Sequence, residues 1–259
     1  MGDLQLPAGD AQWRRIWYNN RKMSRTTLNL RQAAEHVHLE MNELKHAAQR
    51  GEIEASEHGG DWWFEHRALD EWAQRNLLAS SRKSLLRQHD AIMNESRRAN
   101  KADWRVADLF KLGGMCLSMP GKAKAGMIRD MSDLAVKTGL VYDADGLFKE
   151  LMAREECAST AVGQGAAFMH PRFHDPYLFE ESFIAYGRSE RPVFFGSPNG
   201  EGTRHFFLVC STDHVQHLNI LARLAVMAHA TEFLSILDEV ASTEEALAVI
   251  RAAEEGLLK

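Results

Sequence analysis

The stretch Arg154-Glu155-Glu156-Cys157-Ala158-Ser159-Thr160-Ala161-Val162-Gly163-Gln164-Gly165-Ala166-Ala167-Phe168-Met169-His170 sets an arginine, a run of small residues and a histidine in a fixed order. A neutral imidazole is a nucleophile near pH 7, because an unperturbed histidine has a pKa of about 6.5. An arginine supplies a permanent charge and a planar fork for two oxygens of an anionic group. Small residues let backbone N–H groups approach such a group closely, and Thr160, Gly163 and Gly165 are the candidates here for a phosphate-holding loop. Phosphoryl transfer asks a protein mainly for positioning and for neutralisation of the moving oxygens. A second histidine, His217, opens His217-Leu218-Asn219-Ile220-Leu221-Ala222-Arg223-Leu224-Ala225, whose spacing is that of an amphipathic helix. It can donate to a third oxygen or orient the first ring. Spacing alone leaves a bland reading open. The chain has 12 histidines, most histidines are packed or surface residues, and Gly-x-Gly is usually an ordinary turn.

The pattern extends in both directions. Upstream are Ala135-Val136-Lys137-Thr138-Gly139-Leu140-Val141 and Leu147-Phe148-Lys149-Glu150-Leu151; downstream is Arg191-Pro192-Val193-Phe194-Phe195-Gly196-Ser197-Pro198-Asn199-Gly200. With these, residues 106–254 resemble the enzyme IIA components of the bacterial sugar phosphotransferase system, in the fructose/mannitol and nitrogen-regulatory class. The resemblance implies His170 as phosphoryl acceptor, Arg154 as charge clamp and His217 as the second ring at the phosphate. It implies a phosphohistidine carrier protein of the HPr type as donor, and neither a metal nor a cofactor. The chain departs from the family in one place. Proline usually precedes the acceptor and glycine follows it; here Met169 precedes and Pro171 follows. Pro171 fixes its own φ and pushes His170 towards an extended conformation.

The coarse pattern around this site alternates helices and strands. Strands are expected at Phe110–Leu117, Ser182–Tyr186 and His205–Cys210. Helices are expected at Ala123–Thr138, Asp143–Glu155, Thr212–Ala230 and Glu232–Val240, with another starting at Ser242. That argues an α/β sandwich. The resemblance makes it a three-layer sandwich around a mixed sheet, over residues 103–259.

The N-terminal half reads differently. Leu30, Ala33, Ala34 and Val37 mark one short helix; Met41, Leu44, Ala47 and Ala48 mark the apolar side of a second, which Gly51 closes. His58-Gly59-Gly60 between Glu52–Ala55 and Asp61–Phe64 is a hairpin signal, and a third helix follows from Arg67 to Arg75 with Leu69 and Trp72 inward. Residues 26–78 thus resemble a small winged helix-turn-helix of the excisionase/MerR type, with Lys45, His46 and Arg50 as candidate nucleic-acid contacts. Charge opposes the simplest version of this. The segment carries five Lys/Arg against ten Asp/Glu, and DNA affinity rests mostly on phosphate neutralisation. Its flanks are basic, through Arg14, Arg15, Arg21, Lys22 and Arg25 in an arm over residues 1–25, and through Arg82, Lys83, Arg87, Arg97, Arg98 and Lys101 in a helical connector over residues 79–102. Leu78, Leu85 and Ile92 recur every seven residues there, which fits packing on the body or a short dimerising coil.

No apolar run approaches the ~20 residues needed to span a membrane, and the N-terminus lacks the basic start and apolar core of a signal peptide. Cys116, Cys157 and Cys210 form no metal spacing and are expected as small core residues of a cytoplasmic protein. The sequence therefore points to a cytoplasmic regulator in which a phosphoacceptor controls binding of DNA or of a partner such as a transporter or kinase. A homodimer, a sugar-uptake component passing phosphate to a IIB protein, and a scaffold that is never phosphorylated are the alternatives. Whether it counts as an enzyme, a phosphohistidine phosphotransferase component, is left open by the sequence.

Overall fold

The computed structural model describes residues 27–80, 84–91, 105–172, 178–230 and 232–257. The basic arm over residues 1–25 and, in the connector, residues 81–83 and 92–102 fall outside them. The chain divides into two compact units, Met1–Ala73 and Gln74–Lys259.

The first unit starts with β1 (Thr27–Asn29), α1 (Leu30–Val37) and α2 (Met41–Gln49), continues into the hairpin β2 (Ala55–His58) and β3 (Asp61–Glu65), and enters α3 (His66–Ala79). The order of helices and hairpin is the one read from the sequence; β1 is an addition, pairing with β3 to make a three-stranded sheet β1-β3-β2. Asn29 caps α1 in a reciprocal capping box with Gln32, which satisfies donors the helix start would otherwise leave bare. Ala33, Ala34, Leu44, Phe64 and Leu69 form the buried side. Met41, expected inward, is 49% exposed, because it sits at the first position of α2 beyond the reach of this small core. Asp70 ties the unit together, taking a hydrogen bond from His36 at 2.7 Å and pairing with His66 at 3.2 Å.

The second unit takes in the last turns of α3 and a helix α4 over residues 84–91. Then come a 3₁₀ turn Val106–Leu109, β4 (Phe110–Met119), α5 (Lys124–Val136), α6 (Ala144–Cys157), β5 (Ala161–Gly163), β6 (Ala166–Met169), β7 (Phe183–Val193), β8 (Thr203–Cys210), α7 (His214–Ala230), α8 (Phe233–Glu239) and α9 (Thr243–Leu257). The sheet order is β4-β7-β8-β6-β5. β4 pairs parallel with β7 and β6 parallel with β8, whereas β7–β8 and β5–β6 are antiparallel, so the sheet is mixed.

Strand periodicity divides the core. Phe206, Leu208 and Cys210 of β8 face α5 and α6 with Met127, Met131 and Leu151; Phe207 and Val209 face α7, α8 and α9 with Ile220, Leu224, Phe233 and Ile250. Phe207 is fully buried and contacts the rings of Phe110, Phe168, Tyr186 and Phe233. Truncating a ring so placed costs about 3–5 kcal/mol. Gly187 in β7 is required by a close approach: a Cβ there would lie 2.6 Å from the sulfur of Met131 in α5. Leu77 and Leu85 are buried in the same cluster as Phe168 and Ile220, and Leu78 packs against it, so this part of the connector packs on the body. Of the cysteines only Cys210 is buried; Cys116 is half-buried, and Cys157 is exposed at the end of α6 with its thiol turned to the Ala153 carbonyl. Among the described residues no single helix is long and apolar enough to cross a membrane.

Candidate functional site

The hairpin β5–β6 was not expected from the sequence, where its small residues read as a loop. Its parity places the site. Ala166 and Phe168 point to the α7 side of the sheet and Ala167 and Met169 to the α6 side. His170 is next in register on the α7 side. There its ring meets that of His217 in the first turn of α7, with centroids 4.9 Å apart and planes at 65°. Asp213 starts that helix, its carboxylate accepting from the Gln216 N–H and its carbonyl from the His217 N–H.

His170 Nδ1 lies 2.8 Å from the Phe168 carbonyl oxygen. A carbonyl can only accept, so Nδ1 carries the proton and the neutral ring keeps its lone pair on Nε2. Arg154, in the last turn of α6, donates from Nε to that atom at 2.9 Å and from Nη1 to the Ala158 carbonyl at 2.8 Å. The second bond spans the end of the helix and fixes the guanidinium. His170, His217 and Arg154 are 1%, 1% and 3% exposed. The sequence-selected arginine and two histidines are therefore brought into one buried cluster.

Two partners were not selected from the sequence. Glu155, 7% exposed, accepts from the Thr160 N–H at 3.0 Å, from the Thr160 hydroxyl at 2.7 Å and from Lys124 Nζ at 2.9 Å. It ties the strand entering the hairpin to α5 and α6, and commits the Thr160 hydroxyl. The other is Gln74, 1% exposed, whose side-chain oxygen Oε1 lies 3.0 Å from His170 Nε2. Glu155 stands inside the decisive stretch; Gln74 lies 96 residues from His170 and no local pattern marks it.

Gly163 and Gly165 are placed elsewhere. With Gln164 they form the turn between β5 and β6, all three at positive φ (83°, 52° and 78°), and the Gly165 carbonyl accepts from the N–H groups of Arg204 and His205. Four residues of β6 at about 3.3 Å each separate them from His170. Their flexibility serves the turn.

Of the nucleic-acid candidates, Lys45 lines a groove of about 350 Å³ with Arg31, Met41, Trp62 and Trp63. His46 bonds Gln49, and Arg50 makes a two-pronged pair with Glu52 at 2.6 and 3.1 Å, which offsets its charge. Among the described residues one group of metal-ligating types gathers, His36, His66 and Asp70, and those side chains bond one another.

Residues 116–253 match the family described as phosphoenolpyruvate-dependent sugar phosphotransferase system, EIIA 2. A nitrogen regulatory protein of Pseudomonas aeruginosa is 27% identical over 145 residues, covering 55% of this chain and 92% of that protein. The fructose-specific EIIABC component of Bacillus subtilis is 25% identical over 148 residues, covering 56% of this chain and 23% of that much longer relative. The crystal structure of the nitrogen regulatory protein IIA-Ntr of Neisseria meningitidis superposes with a TM-score of 0.51 at 25% identity, covering 56% of this chain and 98% of that one. All of these likenesses lie in little more than half of the chain.

Proposed function

The chain belongs to the phosphoenolpyruvate-dependent sugar phosphotransferase system EIIA 2 family, and on that premise we propose that it accepts a phosphoryl group on Nε2 of His170. The observation that carries this is the tautomer: Nδ1 is held protonated on the Phe168 carbonyl, so the lone pair stands on Nε2, the atom Arg154 addresses. The donor is a phosphohistidine carrier protein of the HPr type. The Nε2 lone pair forms a bond to phosphorus as the bond from phosphorus to the donor's ring nitrogen breaks, and the electron pair of that bond returns to the donor ring. Nδ1 keeps its proton, and the Phe168 carbonyl offsets the positive charge the His170 ring gains. The Arg154 guanidinium faces the developing oxygens, a preorganised charge of the kind that speeds such steps. His217 is the second ring beside the phosphate.

The output is regulatory. A phosphoryl group brings close to two negative charges into a half, residues 102–259, that already holds 15 Lys/Arg against 22 Asp/Glu. Residues 26–78, of winged helix-turn-helix order, bind the regulated partner. A protein partner such as a transporter or kinase fits their acidic balance better than DNA does, because a net-negative surface repels the phosphate backbone. Two relatives' names, nitrogen regulatory and fructose-specific, correspond to the regulatory and sugar-uptake readings; the additional N-terminal unit favours the first.

Incubation of the chain with a phosphorylated HPr-type carrier, followed by peptide mapping, tests the assignment. Label is expected on His170 and is abolished by His170→Ala. Label that survives this substitution unchanged overturns it.

A further inference from the structure

His170 is 1% exposed, yet an acceptor of phosphate from another protein must meet that protein's phosphoryl group in line. Besides Arg154 at 2.9 Å, the Gln74 amide oxygen stands at Nε2, 3.0 Å away. We infer that Gln74 is a gate on the acceptor histidine, and that phosphoryl transfer and the withdrawal of Gln74 from His170 are mutually dependent. The inference rests on His170 being the acceptor, and it names a regulatory state of that site.

The contact is built rather than incidental. Gln74 is 1% exposed and opens the second unit. One turn later Leu77 is 5% exposed, and beyond it Leu85 is 1% exposed, both in the cluster that holds Phe168 and the α7 residues Ile220 and Leu221. Gln88 and His89 on α4 are also buried. The segment therefore has its own apolar seat beside the site, and Gln74 is aimed from it. Chemistry fits the amide to the resting ring. The amide presents its oxygen to Nε2, which suits a ring protonated there; turned end for end, it offers an N–H to the lone pair of the neutral ring, beside that of Arg154. A glutamine can thus face either protonation state of Nε2.

The same chemistry makes closure and phosphorylation exclusive. Covalently bound phosphorus lies closer to Nε2 than the amide does, and its oxygens need the volume the amide fills. A buried group with nearly two charges needs cations and water around it, and a neutral amide set among leucines supplies neither. The phosphorylated ring thus expels Gln74, and Gln74 in place holds the ring from the donor. Because α3 is one helix from His66 to Ala79, the segment that must leave is covalently continuous with the first unit. A coupling between sites needs two states with different contacts. Gln74 on His170 and phosphate on His170 are two such states.

The test uses the full chain as wild type, Gln74→Ala and Gln74→Glu, with two readouts. The first is carbethoxylation of His170 by diethyl pyrocarbonate, followed by peptide mapping, which needs no phosphoryl donor. His170 is expected to react slowly in wild type, about tenfold faster in Gln74→Ala, the rate equivalent of one buried hydrogen bond, and no faster than wild type in Gln74→Glu, whose carboxylate can hold a protonated ring. Equal rates in wild type and Gln74→Ala overturn the gate. So does acceleration by Gln74→Glu matching that of Gln74→Ala, since that reports general loosening. The second readout is hydrogen exchange over residues 74–91 before and after phosphorylation by the carrier or by phosphoramidate. Faster exchange in the phosphorylated form is expected, and unchanged exchange overturns the coupling. If Gln74→Ala opens His170 to the acylating reagent but neither phosphoryl source labels it, the phosphoacceptor reading fails while the gate stands.

Discussion

At the scale of single residues the site is a set of directed protons. His170 hands its Nδ1 proton to the Phe168 carbonyl and turns its lone pair to Arg154, which is pinned through Ala158 at the end of its own helix. Replacing Arg154 with alanine removes the charge proposed to face the phosphoryl oxygens and leaves the sheet register untouched. Transfer to His170 is expected to slow by roughly 10²–10³ while the circular dichroism spectrum is retained. Near-wild-type transfer by the folded variant would reduce Arg154 to a helix-end residue. Arg154, His170 and His217 were legible because each sits in a local pattern: arginine before a small-residue run, histidine closing it, histidine opening an apolar helix. Gln74 was not, because its role comes from where α3 ends in space. Gly163 and Gly165 were misplaced for a related reason. Glycine marks backbone freedom, and both a phosphate loop and a tight turn use it.

At the scale of elements, the long amphipathic helices and the apolar strands β4, β7 and β8 were legible because their period repeats over several residues. β5 and β6 were not. They have three and four residues, and Ala161, Ala166 and Ala167 carry little strand signal on their own. Their pairing with each other and with β8 supplies what composition lacks. Another cross-chain fastening was equally silent. Glu254 of α9, 1% exposed, accepts from the N–H groups of Val106 and Ala107 at 2.7 and 2.8 Å and from Arg223 of α7 at 2.7 Å. It closes the start of the domain onto its last helix. Glu254→Ala leaves a buried guanidinium without its carboxylate and two N–H groups without acceptors, which is expected to cost about 3–5 kcal/mol in urea denaturation. Glu254→Gln keeps an acceptor and is expected to cost less. Equal, small losses for both would mean that water replaces the carboxylate there.

At the scale of the whole molecule the two units carry histidines with opposite responses to acid. In the second unit His205 is buried on the Tyr186 hydroxyl, 2.9 Å away; burial, against the opposing pull of Asp238, lowers its pKa to about 4. The unfolded chain takes up that proton first as pH falls, since its histidine titrates near 6.5. Stability from this group is therefore complete above about pH 6.5 and is lost progressively down to about pH 4, by at most roughly 3.5 kcal/mol at about 1.4 kcal/mol per unit. In the first unit the hydrogen bond to Asp70 raises the pKa of His66. That contribution is complete below the unfolded value and is lost as pH rises through the raised one. Acidification from pH 7 to 5 should thus weaken the second unit while the His66–Asp70 clasp gains. Five of the six tryptophans, Trp62, Trp63 and Trp72 among them, fall in the first unit and Trp104 in the second, so in a Trp104→Phe background fluorescence follows the first unit, and far-ultraviolet circular dichroism follows both units. Two denaturation curves that coincide at pH 7 should separate at pH 5, with loss of ellipticity preceding the change in fluorescence. His205→Gln, which keeps a partner for Tyr186 but cannot take up a proton, should bring them back together. Curves that stay coincident at pH 5 with His205 in place would mean that the two units unfold as one.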